Sequence, residues 1–274
     1  MGQFVDEFRG TDMLVYAEIL TDNNEVSEGY TTGSAKVLAP VAEIAKTVEG
    51  SSDTKYYDNK PALVINAEGA DTITLTIPAL DLATLADITG KKYDATTGAF
   101  MDGPRTPKYF ALGYRLRLTD GSYRYVWRYK GTFAIPDETS QTENAGTDSN
   151  NQQLVYTGIE TMHVFTTPAS SQKALVVDER DDKANVSTFF DTVTTCDTLV
   201  QKVARTLTIT QATDTTVTVT RGGVSLVTGA TIYDGDVLTI SVVGGTITVN
   251  GTAFTSGNTH TVAANVTVVS TKSV

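Results

Sequence analysis

The residues of this chain whose types could do chemistry are few: two histidines, one cysteine and two short runs of carboxylates. His163 and His260 lie far apart in stretches of different composition. His163 is expected in a strand beside Met162 and Val164, a setting that suits a structural or surface role better than proton transfer. Asp178-Glu179-Arg180-Asp181-Asp182 and Asp234-Gly235-Asp236 could ligate a hard cation, and paired carboxylates could hydrolyse glycosides. The spacing is not that of an EF-hand loop, however, and neighbouring loop carboxylates are commonly solvated surface. No Gly-x-Ser-x-Gly elbow, P-loop, Gly-x-Gly-x-x-Gly or His-Glu-x-x-His motif occurs, so no enzyme signature, cofactor or metal is expected. The single Cys196 excludes an internal disulfide framework and any Cys-x-x-Cys metal site, which fits folding in a reducing cytoplasm.

Charge narrows the partners. Against 21 Lys and Arg stand 32 Asp and Glu, a net charge of −11 in 274 residues. Residues 204–274 hold Arg205, Arg221 and Lys272 against Asp214, Asp234 and Asp236, so the whole excess belongs to residues 1–203. An acidic domain does not bind nucleic acid by neutralising phosphates, which takes Lys and Arg. Two readings of the acidity stand: a wall that lets a duplex slide past without sticking, or a soluble surface. With 40% hydrophobic and 19% charged residues the composition is globular. No apolar run is long enough to span a bilayer, and Met1-Gly-Gln-Phe-Val-Asp-Glu-Phe-Arg9 does not read as a secretory signal.

The elements that must carry these residues are mostly strands. After Val203 about a quarter of the residues are Thr, with Val and Gly abundant and charge scarce. Two domains, 1–203 and 204–274, are therefore expected. In the second, segments such as Thr206-Leu-Thr-Ile-Thr210 and Thr216-Val-Thr-Val-Thr220 alternate with period two between Gly and Asn turns. That pattern predicts a small antiparallel β-sandwich of immunoglobulin-like size. In the first domain, residues 73–77 alternate cleanly before Pro78 ends the strand. A short helix is expected from Asp81 as N-cap to Gly90, with Leu82, Leu85 and Ile88 on one face. A second helix is expected near 185–191.

The clearest local signal is a hairpin, residues 109–118 and 123–133 around Thr119-Asp-Gly-Ser122, where Asp-Gly favours positive φ. Tyr123, Tyr125, Trp127 and Tyr129 share one side of the second strand, and Arg124, Arg128 and Lys130 share the other with Val126. On the first strand Arg115 and Arg117 alternate with Tyr114, Leu116 and Leu118. One face of the hairpin is thus expected to be aromatic and the other basic. Rings and cations on one surface would suit single-stranded nucleic acid; segregated, they read as a core face and a charged outer face. That basic stripe, Arg115, Arg117, Arg124, Arg128 and Lys130, could pair with acidic patches of neighbouring copies and set register. The long polar loop between Pro136 and Gln153, with Glu138, Glu143 and Asp148, is expected to act as an arm ordered by a neighbour, as is the polar segment 49–60. A strand is expected over 154–166.

Read in order, several segments resemble the phi13-type major tail proteins of long-tailed bacteriophages. They are Lys55-Tyr-Tyr-Asp-Asn-Lys-Pro61, the strand and helix of 73–90, the run from Pro107 through Tyr123-Arg-Tyr-Val-Trp-Arg-Tyr-Lys130 to Glu138, Leu154-Val-Tyr-Thr-Gly-Ile-Glu160 and Phe189-Phe-Asp191. The resemblance covers nearly all of 1–203 and rests on order and spacing together. It implies a tail-tube antiparallel β-sandwich or barrel with a flanking helix, and a structural virion subunit with no catalytic residues. It further implies typically hexameric rings that stack into a tail tube, with the tape measure and other tail proteins as partners and DNA passing through the lumen without specific binding. Synthesis in the host cytoplasm follows. Residues 204–274 resemble the optional immunoglobulin-like additions of tail subunits, whose role is weak glycan contact or decoration. A bacterial adhesion protein built of sandwich modules that binds cell-surface glycans, and a carbohydrate-active enzyme, are the competing readings. Only the tube reading predicts long tubes from purified protein.

Overall fold

The computed structural model describes residues 5–24, 29–137 and 151–273. It is mainly β, built of several antiparallel sheets consistent with a β-sandwich, and divides into two compact units at 200/201.

In the first unit the strands are β1 (Phe8–Asp22), β2 (Tyr30–Thr32), β3 (Lys36–Val37), β4 (Glu43–Tyr57) and β5 (Lys60–Ile77). After α1 (Leu82–Thr89) come β6 (Lys92–Asp94), β7 (Ala99–Met101), β8 (Phe110–Leu118), β9 (Tyr123–Phe133), β10 (Gln152–Ile159) and β11 (Ala174–Asp178). The main sheet runs β2-β1-β8-β9-β10-β5-β4, with β3 also on β1 and β11 also on β9. β9 shares its far edge between two partners: Lys130 to Phe133 meet β10, and Arg124 to Arg128 meet β11.

Both faces of the central strands are covered. One face carries Leu14, Tyr16, Ile73, Leu75, Phe110, Leu112, Tyr114, Val126 and Tyr156, with Ile88 of α1 packed among them. The other carries Tyr125, Trp127 and Tyr129 under Phe165, Val177, Phe189 and Val193. Burying each such large side chain contributes about 1.5–3 kcal/mol. Trp127 is fully buried, and its indole N–H donates to the carbonyl of Phe189 at 2.8 Å, so the polar edge of the ring is satisfied. Gly113 makes that packing possible. A Cβ there would stand 2.7 Å from Val15 Cγ2 and 2.9 Å from the Trp127 ring.

The helix has the expected caps. Asp81 accepts from Thr84 N at 2.9 Å, and Gly90 closes the helix at φ 68°. Its buried residues are Ala86, Ile88 and Thr89, whereas Leu82 is exposed; the helix therefore docks through its last turn rather than along a Leu82–Leu85–Ile88 stripe. No helix forms over 185–191. Asn185 Oδ1 captures the amide and hydroxyl of Ser187, and Phe189 N and Asp191 N bond three residues back, giving successive turns. The strand expected over 154–166 stops at Ile159.

The second unit contains β12 (Ala204–Thr210), β13 (Thr216–Arg221), β14 (Val224–Leu226), β15 (Thr231–Tyr233), β16 (Val237–Val243), β17 (Gly245–Val249), β18 (Thr252–Phe254), β19 (Thr259–Thr261) and β20 (Val266–Lys272). Sheets β15-β12-β20-β17-β18 and β14-β13-β16-β19 bury Leu207, Val219, Leu238, Ile240, Ile247, Val266 and Val268, while Thr208, Thr218, Thr239 and Thr246 face outward. One pairing departs from the antiparallel expectation: β12 and β20 run parallel.

Candidate assembly surface

The basic stripe is not the surface that alternation along one strand suggests. Register places Arg115 opposite Tyr125 and Arg117 opposite Tyr123, and partners across an antiparallel pair share a face. Arg115 and Arg117 thus lie on the tyrosine side, where the Arg115 guanidinium sits 4.1 Å from the centre of the Tyr123 ring. Arg124 and Arg128 lie on the other side, Arg128 within the core and Arg124 half-buried, whereas the extra β9 residue between Arg128 and Gly131 turns Lys130 away from the face of Phe133 and Tyr156.

Among the described residues each of these cations except the exposed Arg117 has an acidic partner. Arg115 forks onto Asp12 at 2.5 and 2.9 Å. Arg124 donates to Asp178 at 2.8 Å. Arg128 and Lys130 are buried; Arg128 reaches Asp71 at 3.0 Å, and Lys130 reaches Asp22 at 2.5 Å. Burial pushes the Asp22 carboxyl up, but Lys130 and the amides of Met162 and His163 outweigh it and hold the group below the usual carboxylate range. Glu138, Glu143 and Asp148 lie outside the described residues.

The acidic runs are likewise occupied by arginine. Asp178 takes Arg180 at 2.6 and 2.8 Å as well as Arg124, and these bonds, the Arg180 fork foremost, hold its carboxyl far below the ordinary value despite partial burial. Asp234 takes Arg205 and Asp236 takes Arg221, each at 2.7 Å. Among the described residues no group of three or more His, Cys, Asp or Glu is placed to hold a metal ion. His163 lies in a bend, not a strand. Its ring packs edge-on to Phe165 at 4.9 Å, with Nδ1 3.3 Å from the Asn23 carbonyl. No described helix is long and apolar enough to cross a membrane, which says nothing of a β-barrel.

The feature that stands out from the subunit is the segment expected to be a polar loop. β4 and β5 pair along nearly their whole length, and 49–60 is the outer part of that hairpin rather than irregular chain. Its tip is a two-residue turn, Asp58 at φ 50° and Asn59 at φ 58°, between the paired Tyr57 and Lys60. Two successive left-handed residues match the right-handed twist of a hairpin, and Asp and Asn tolerate that region. β5 also pairs with β10 from Ile77 as far as Asp71, which faces Gly158. Beyond Asp71, residues 49–70 pair only with each other. The boundary carries a bulge, since Val48 faces Asp71 while Gly50 faces Glu68.

This arm is exposed on both faces. Asp53 faces Ile65, Thr54 faces Val64 and Lys55 faces Leu63, so Leu63 and Ile65 lie on one side and Val64 on the other. These three aliphatic side chains are 51%, 49% and 53% exposed, and Tyr56 and Tyr57 more so. β4 is also the edge of the sheet, so the outward row of amides and carbonyls along 43–57 is open to a further strand. An isolated two-stranded ribbon with apolar groups on both sides is marginal in water and is stabilised by cover.

The comparison with protein families gives one match: residues 40–201 fit the family model described as phage tail tube protein. The matched stretch takes in the whole arm and ends at the boundary of the first unit. No curated protein matches the chain.

Proposed function

Because this chain belongs to the phage tail tube protein family, a structural family of the virion rather than a known enzyme family, we propose that it forms rings, hexameric as in the resemblance above, which stack into the conduit for genome delivery. Family membership itself carries assembly into a tube with other tail components. The observation that carries the finer reading is the arm of 49–70, whose apolar side chains and open edge have no cover within the described subunit. A second copy of the chain is the partner that supplies it. Head-to-tail contact of this kind is heterologous and need not close, so the expected product is a filament.

The remaining roles follow from the same reading. Arg115, Arg117 and Arg124, which stay at or near the surface, are proposed to tune contacts between copies, whereas buried Arg128 and Lys130 act inside the subunit. The acidic excess of 1–203 suits a lumen through which DNA slides without specific binding. Residues 204–274 are proposed to form an immunoglobulin-like external domain, whose threonine-rich faces of zero net charge suit weak glycan contact or decoration. The tape measure is the partner expected inside the tube, and synthesis takes place in the host cytoplasm.

Negative-stain electron microscopy of concentrated protein, with and without residues 201–274, tests the reading. Stacked rings in both samples, with peripheral knobs lost on truncation, are expected. Particles that stay single at every concentration, even when seeded with broken tails, would overturn it.

A further inference from the structure

We propose that Asp71 is a positioning residue that fixes the direction in which the arm leaves the sheet, through a buried cluster with Arg128 and Lys46; this rests on the reading of the arm as the contact between copies. Asp71 is the last residue of β5 that has a sheet neighbour on its far side, and the bulge of the arm begins directly beyond it. Its side chain, 4% exposed, accepts from Arg128 Nη1 at 3.0 Å and lies 3.2 Å from Lys46 Nζ. Lys46 comes from β4 and Arg128 from β9. One carboxylate therefore ties both strands of the arm's root to a central strand on the far side of β10.

A second tie acts within the bulge itself. Lys173 Nζ donates to the carbonyl of Gly69 at 2.6 Å and stands 3.9 Å from Glu68. The root is thus held at Asp71, on the sheet side of the irregularity, and at Gly69, within the irregularity that would otherwise let it swing.

The cluster is poorly designed for stability alone. Arg128 Nε is buried without a hydrogen-bond partner, the one such side-chain atom among the described residues, and its Nη2 reaches the Tyr114 hydroxyl only at 3.4 Å. Buried ion pairs are often no better than well-packed apolar groups of the same volume, and an orphaned donor is a further cost. What the charges supply and apolar groups would not is direction: a guanidinium and an ammonium converging on one carboxylate accept a narrow range of strand positions. Assembly needs that range to be narrow, because an arm free to swing must be ordered anew at every contact.

Hydrogen exchange on the purified subunit tests this without requiring a tube. In Asp71→Asn, amides of 47–50 and 66–70 should exchange about tenfold faster than in the parent, while β8 and β9 amides change only as far as global stability does. Val126→Ala, which trims the same core elsewhere, should show the opposite pattern, with no excess at the root. Should Asp71→Asn fail to fold, Arg128→Met serves instead, with the same excess expected. Acceleration shared equally by root and core, or a root excess in Val126→Ala as well, would overturn the assignment. So would Asp71→Asn subunits with a loosened root that assemble as readily as the parent. Failure of the parent to assemble would instead count against the tube reading.

Discussion

Replacing Leu63, Val64 and Ile65 together by threonine removes apolar cover from both faces of the arm while keeping side chains that favour a strand. Each of the three is close to half exposed in the subunit. Fully burying an aliphatic side chain contributes about 1.5–3 kcal/mol, so covering the exposed half in an assembly contributes about 1 kcal/mol. Threonine retains part of this, leaving a loss of about 2 kcal/mol over the three positions, equivalent to roughly a 30-fold rise in the subunit concentration at which polymer appears. The isolated subunit should lose little, because surface substitutions fall within about 0.5 kcal/mol each. Sedimentation of polymer against total protein gives the critical concentration, and urea unfolding of the subunit gives the control. A critical concentration within about threefold of the parent, with the hairpin intact by hydrogen exchange, would refute the reasoning that the arm is an assembly contact.

Two further outcomes are expected within the first unit. Gly113→Ala should destabilise it by about 1–3 kcal/mol by urea denaturation, because the added methyl meets Val15 and the Trp127 ring at under 3 Å and neither can withdraw from a packed core. Asp178 has a folded pKa depressed by Arg180 and Arg124, so its contribution is complete above the unfolded carboxylate value of about 4 and is lost as pH falls through the folded value. Asp178→Asn should therefore melt below the parent at pH 7, with the gap narrowing towards pH 2; a gap independent of pH would contradict the ion-pair account.

Much of the fold was legible because local rules and tertiary structure agree. The strand of 123–133, the Asp81 cap and the Gly90 stop stand where alternation and capping chemistry put them. What failed was relational. Alternation tells which residues of one strand share a side, but only register tells which sides of two strands coincide, and here the turn sets it: Arg117 faces Tyr123 across five intervening residues, and a turn one residue shorter or longer would have put Arg115 and Arg117 on the other side. Nor could composition show that 160–199 folds over the ring side of β9 while α1 covers the other. Arg128 and Lys130 therefore read as surface although each meets a carboxylate distant in sequence, Asp71 and Asp22. The arm role of 49–60 was expected, but its hairpin form was missed for a different reason. Gly50, Ser51 and Ser52 suggested a loop, yet Asp58-Asn59 between paired strands was a usable hairpin signal.

A helical reconstruction of the assembled protein at side-chain resolution tests the central claim most directly. The account predicts a hollow tube of stacked rings in which residues 49–70 of each copy lie against another copy, with Leu63, Val64 and Ile65 covered. A tube whose arms stand bare, held together by other surfaces, would contradict it.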